Sequence, residues 1–258
     1  MNASDTPLSG CYGKIPVLGD FVTRNLPGRM VETWDEWLQS CMAASRQTLD
    51  DSWMDIYLTS PVWCYAAGPG TLDQDTWLGV MIPSVDRVGR YFPFTIALRV
   101  GPVNPLSAMH QARNWYREAE RLALDCLGDD FQVKLLEERL FDLPAVEGLP
   151  ETGPDSGQPS TGDETGRHYR LGESVGMNDV LAGLAHDLAL ELFPAFSVWW
   201  TSGSREVCAS MQLARGLPAA ESFPALLDGR FSERHWIDRG TLGEIQAADE
   251  DIHAMTRE

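Results

Sequence analysis

Between Pro61 and Val100 the chain carries three short apolar runs separated by turn residues, with no room for a helix between them. Val62–Ala67 is bounded by Pro61 and by Gly68-Pro69-Gly70, Thr76–Ile82 is closed by Pro83, and Phe92–Val100 follows the polar turn Ser84–Arg90. Apolar runs this short, punctuated at this interval, predict an antiparallel meander. Helical periodicity brackets it. Val31, Trp34, Leu38, Met42 and Leu49 keep one face of a helix over Met30–Leu49, with Glu32, Asp35 and Glu36 read as its acidic first turn. Met109, Tyr116, Leu122 and Leu127 mark a helix over Leu106–Leu127, and a shorter one is expected near Phe131–Phe141, entered through Asp129–Asp130. Helices lie before and after the strands and do not alternate with them. The pattern therefore predicts an α+β fold (an α/β sandwich) with a mostly antiparallel central sheet flanked by helices on both faces.

The composition changes abruptly after this region. Glu147–Arg167 is crowded with Gly, Pro, Ser, Thr and acids and has almost no large apolar side chain, so burial offers little to offset the entropy of ordering it. The expected organisation is an α/β region over 1–143, a disordered acidic insertion over 144–170, and a region over 171–258 that completes the same fold and ends in an acidic tail. In that last region Asn178–Leu192 reads as a helix. Ser197–Thr201 and Val207–Leu213 read as a strand pair around Ser202-Gly203-Ser204, and Ala219–Leu227 as a final helix. With 258 residues, 43% of them hydrophobic, the chain can bury a sizeable core without staples.

Charge narrows the partners. There are 38 acids against 20 bases, a formal net of −18, and such a chain repels nucleic-acid backbones at long range. Only Lys14 and Lys134 are lysines, so nearly all positive charge sits on arginine, whose planar fork suits carboxylates and phosphates. Five cysteines, Cys11, Cys41, Cys64, Cys126 and Cys208, are an odd, widely spaced set without a CxxC pair. That usage fits a reducing compartment and thiols buried as small hydrophobes. The start lacks the basic and apolar segments of a secretory signal, and no apolar run approaches the length that spans a bilayer. The expected location is the cytoplasm.

Catalytic templates match poorly. Gly172-Glu173-Ser174-Val175-Gly176 has the G-x-S-x-G spacing of a nucleophile elbow, with His186 and Asp187 on the helix that follows. An elbow also needs a buried strand immediately before the serine, and residues 163–171 read DETGRHYRL. Gly68-Pro69-Gly70-Thr71 reads as a hairpin loop and not as a phosphate cradle. His110, His168, His186, His235 and His253 have no metal-ligand spacing. Asp73 and Asp75 belong to a solvated turn more readily than to a cation site. No cofactor is implied. Strand alternation places Trp199 and Trp200 on opposite faces, so one of them is free to serve as an exposed partner anchor.

Two segments resist a purely structural reading. Gly10–Arg24 interleaves Lys14, Asp20 and Arg24 with Gly and Pro. Pro83–Pro93 places Asp86, Arg87 and Arg90 at a tip between two apolar strands. Their charges either pair with one another and brace the loops, or form a recognition edge for a carboxylate, a phosphate or a partner protein.

The same segments carry a resemblance. YGKIPVLGDFVTRNLP (12–27), WDEWL (34–38), SPVW (60–63) and PSVDRVGRYFPFTIA (83–97) resemble the TagF family of type VI secretion-associated proteins, also called ImpM. SVWWTSGS (197–204), GLP (216–218) and FPALLDGRF (223–231) are similar to its later blocks, whereas 144–170 match nothing. The resemblance implies an α/β sandwich and a non-enzymatic cytoplasmic protein that represses assembly and firing of the secretion system after translation. It implies as partners the forkhead-associated scaffold (Fha), the phosphorylation pathway of the kinase PpkA and the phosphatase PppA, or membrane-complex components. It carries over no catalytic residues. On this reading Lys14, Asp20, Arg24, Asp86, Arg87 and Arg90 are the expected partner-binding edge. The alternatives are a small hydrolase using Ser174, a phosphotransfer activity, or a structural subunit of the apparatus.

Overall fold

The computed structural model describes residues 8–149 and 176–241. The chain opens with β1 (Ser9–Gly13) and a short β2 (Val22–Arg24), followed by α1 (Gly28–Leu49) and α2 (Trp53–Leu58). The three apolar runs become β3 (Trp63–Ala67), β4 (Trp77–Ile82) and β5 (Phe94–Arg99). Next come α3 (Pro105–Gln111), α4 (Arg113–Asp125) and α5 (Leu136–Phe141). The last part holds α6 (Met177–Leu192), β6 (Phe196–Thr201), β7 (Ser210–Arg215) and α7 (Pro224–Asp228). All seven strands form one sheet in the order β2-β1-β5-β4-β3-β6-β7, with every pairing antiparallel. The meander is therefore its centre, the N-terminal hairpin extends it beyond β5, and β6–β7 extend it beyond β3.

Alternation along the strands sorts the core into two layers. Leu78, Val80, Ile82, Phe94, Ile96 and Leu98 point towards α4 and α5, where they meet Trp115, Tyr116, Leu122, Leu136 and Leu140. Trp63, Tyr65, Trp77, Met81, Ala97 and Trp199 point the other way, towards Trp34 and Leu38 of α1, Trp53 and Tyr57 of α2, and Leu226 of α7. Trp34 stacks on Tyr65 (4.8 Å) and lies parallel to Trp199 (6.2 Å). Indole N–H groups in this layer find acceptors: Trp34 donates to Thr95, Trp63 to the Leu226 carbonyl and Trp199 to Ser197. A third cluster forms where Ala189 of α6 meets Phe196 and Val198.

Several elements differ from the sequence expectation. β1, β2 and α2 are additional. The hairpin was hidden because Gly10 and Gly13 interrupt any strand-like apolar pattern, yet both are glycines for packing reasons. A Cβ at position 10 would lie 2.5 Å from the Arg24 carbonyl oxygen, and one at position 13 only 2.1 Å from that of Pro93. The helix expected over Leu106–Leu127 is broken at Ala112, and its first half is capped by Asn104, whose Oδ1 accepts from the N–H groups of Leu106 and Ser107. α1 begins two residues earlier than expected, after Pro27, so its acids fall beyond the first turn. Four cysteines are buried, and desolvation pushes the thiols of Cys11, Cys64 and Cys126 up to about 12. Cys208 is exposed, contrary to expectation, because it lies in the loop between β6 and β7, outside both layers. No described helix is long and apolar enough to cross a membrane.

Candidate functional site

Two segments far apart in sequence meet at the end of the β1–β5 pair. The loop after β1 runs over the 84–91 turn: the Arg87 N–H donates to the Leu18 carbonyl (2.8 Å), and the Arg90 guanidinium donates to the carbonyl of Gly19. The turn itself closes through Gly89 N–H to the Asp86 carbonyl (3.0 Å) and a Val85–Tyr91 bridge. Gly89 sits at φ +86, a left-handed conformation that glycine adopts without steric cost. From below, the Tyr57 hydroxyl donates to the Ser84 carbonyl and accepts from the Ser84 N–H, both at 3.0 Å.

Asp86 holds this junction together. Its Oδ2 accepts from Lys14 Nζ (2.9 Å) and from Arg90 Nε (2.6 Å), while Oδ1 accepts the N–H groups of Val88 (3.0 Å) and Arg90 (2.9 Å). The Asp86 and Lys14 side chains are only 0% and 6% exposed. Desolvation alone would raise the Asp86 pKa. The donated Arg90 N–H, with Lys14, the Arg90 side chain and the Val88 N–H, outweighs it and holds the carboxyl well below its usual range. Lys14 Nζ also lies 4.9 Å from the Phe21 ring centre, and Phe21 stacks on Tyr12 at 5.5 Å.

The six expected edge residues are thus not one surface. Lys14 and Asp86 face inward as a brace. Arg90 is shared, with one nitrogen on Asp86 and the side chain 55% exposed. Arg87 is exposed, and among the described residues no ion-pair partner faces it; its guanidinium passes close to Gly19. Asp20 is exposed and accepts the Phe21 N–H. Arg24 lies apart, reaching Glu137 of α5 at 2.7 Å, because its pairing opposite Cys11 turns it to the α5 face. What the turn presents outward is Arg87, Val88 and Arg90, with Phe21 beside them on the loop. Val88 is 66% and Phe21 41% exposed. Sequence reasoning passed over these two, although an apolar residue between Arg87 and Gly89 at a hairpin tip was a signal.

The tryptophan pair divides as the alternation requires, but neither ring is left bare. Trp199 is fully buried in the α1 layer. Trp200 faces α4, where it meets Tyr116 edge-on at 4.7 Å. It floors a cleft of about 380 Å³ with Val62, Cys64, Tyr116 and Met211, and His110, Arg113, Arg117 and Glu120 also line it. Asp73 accepts from the Trp77 indole and the Asp75 N–H, and Asp75 pairs with Arg99. His186 packs against Phe196 inside α6's contact with the sheet, and burial lowers its pKa. Ser174, His168 and His253, with 150–170 of the expected 144–170 insertion, lie outside the described residues.

Residues 10–143 match the protein-family description "TagF N-terminal domain, Type VI secretion system-associated". No curated protein matches the chain. Among solved structures, PA0076 from Pseudomonas aeruginosa PAO1 is similar at 36% sequence identity and a TM-score of 0.70, over 86% of this chain and 94% of that one. The family match includes both segments of the Asp86 junction, and the structural match extends past it to most of the chain. The protein belongs to the TagF family and is type VI secretion system-associated.

Proposed function

We propose that this protein is a non-enzymatic cytoplasmic regulator that holds the secretion system off by binding its forkhead-associated scaffold, with the 84–91 turn as the contact. The observation that carries the reading is the Asp86 junction. A buried carboxylate with four donors fixes a short turn whose outward side chains are two arginines and a valine. A turn fixed before binding loses little entropy when a partner docks, and exposed guanidinium groups are suited to carboxylate or phosphate oxygens on that partner. The net charge of −18 adds a long-range field that steers the molecule towards basic surfaces such as a phosphothreonine reader. Membership of a secretion-associated family supports the setting.

The test is a calorimetric titration of the full chain against its cognate forkhead-associated scaffold, repeated with Arg87→Glu and Arg90→Glu. Micromolar or tighter binding, weakened about tenfold or more by each reversal, is the expected result. Arg87→Glu is the cleaner of the two, because Arg90 also contacts Asp86. Binding that survives both reversals moves the contact elsewhere. Absence of binding turns the search to the phosphorylation enzymes or the membrane complex. In cells, deletion of a repressor raises secretion, whereas deletion of a structural subunit abolishes it.

A further inference from the structure

α6 is apolar on two opposite sides. One side carries Ala189 and the buried His186 against β6. The other side, turned away from the sheet, carries Met177, Leu181, Leu184, Leu188 and Leu192, which remain 38–69% exposed, with exposed Ala185 in their midst. A surface helix ordinarily turns its apolar stripe to the core and polar residues to the opposite face, so a second apolar side calls for a cover, and the spacing 177, 181, 184, 188 is that of a helix–helix seam. We infer that this face is an interface between two copies of the chain, which pack α6 against α6 in antiparallel fashion about a two-fold axis between Leu184 and Ala185.

The order of residues along the helix argues for a second copy over other occupants. An isologous contact must be self-complementary. An antiparallel pair centred between positions 184 and 185 sets Met177 level with Leu192, Leu181 with Leu188, and Leu184 with Ala185. Every apolar position thus meets another, and the small Ala185 lies where the helices cross. Charge obeys the same symmetry: Asp179 comes level with Leu190, Asp187 with Ala182, and Glu191 with Asn178, so no carboxylate is brought level with another. The chain's own remaining segments fit less well. Residues 150–175 offer only Tyr169, Leu171 and Val175 as large apolar side chains apart from proline. Residues 242–258 carry five acids and one arginine, towards a helix that has three acids and no Lys or Arg. Sixteen residues of helix run about 24 Å. Packing that length against a copy buries on the order of 1,000 Å², the lower bound for a specific interface.

The test is the mass of the full chain by sedimentation equilibrium across a hundredfold concentration range at physiological salt. The expected mass at the upper end is twice 28.6 kDa, and Leu181→Glu with Leu188→Glu is expected to weaken self-association tenfold or more while leaving the circular dichroism spectrum unchanged. Ala185→Cys in a Cys208→Ser background gives an independent readout, since a thiol introduced beside the axis forms a disulfide-linked dimer on mild oxidation. A monomer at every concentration overturns the inference. So does a dimer that persists in the double glutamate variant while the Ala185→Cys variant fails to cross-link, which would place the contact on another surface. If the chain is monomeric and the introduced thiol reacts with thiol reagents only after residues 242–258 are removed, the tail is the occupant and the inference also fails. If the introduced thiol reacts freely in a monomer, the face is left for a different protein, with the same consequence.

Discussion

At the residue scale the Lys14–Asp86 pair shows how a charged motif can serve as a buried brace for a turn. Taking two charges out of water is costly, and the cost is met here because Asp86 also receives two backbone N–H groups and Arg90. Removing one partner is therefore unequal. Asp86→Asn leaves Lys14 buried without a counter-charge and is expected to cost about 3–5 kcal/mol. Lys14→Met leaves the carboxylate three of its four donors and should cost less, about 1–3 kcal/mol; urea denaturation of both variants checks the order. The pH dependence has a definite sign. Asp86 has a folded pKa depressed below its ordinary 3.8, so its contribution is fully present above that value and lost as pH falls below it. Acid unfolding curves below about pH 4 should be shallower in Asp86→Asn than in the parent.

At the element scale the sheet works because its strands alternate between two crowded helical layers. β4 shows the tolerance. Trp77 and Met81 point to the α1 side, and the position between them on that face is Gly79, over which the Tyr65 ring lies; a Cβ there would fall 2.1 Å from Tyr65 Cζ. Tyr65 is fully buried between Trp34 and Trp199 and has no room to retreat. Gly79→Ala, which in an open strand would be mild, is expected to destabilise by about 1–3 kcal/mol through overpacking, read as a lowered midpoint in thermal unfolding. The β3–β4–β5 meander was legible in the sequence because each strand carries its own apolar run and its own stop. β1 and β2 were not, because close approach of neighbouring backbone replaced the expected side chains with Gly10 and Gly13. α3 and α4 read as one helix because the apolar period continues across their break at Ala112.

At the scale of the whole molecule, net charge and local charge act at different ranges. On the function proposed above, the net charge of −18 would act on a basic partner through a field screened over about 8 Å at physiological salt, whereas Arg87 and Arg90 would act only on contact. Association with the scaffold should therefore slow markedly as salt rises from about 50 to roughly 500 mM, while dissociation changes less; stopped-flow or surface-binding kinetics separate the two rates. A salt-independent association rate would remove electrostatic steering from the account.

Composition and spacing by themselves determined the class of fold, the central strands, the helices on either side and the two charged segments that the structure brings together. Those features depend on neighbours close in the chain. Which charges remain available to a partner was decided only by tertiary structure. Lys14 and Asp86 are 72 residues apart, and nothing local reveals that one is buried against the other while Arg87 and Val88 stay outside. The same holds for Trp200, whose face the alternation set but whose cover came from α4, and for the second apolar side of α6. Burial is a property of what packs against a residue from elsewhere in the chain, and local pattern carries that information only when both sides of an element are written in its own sequence.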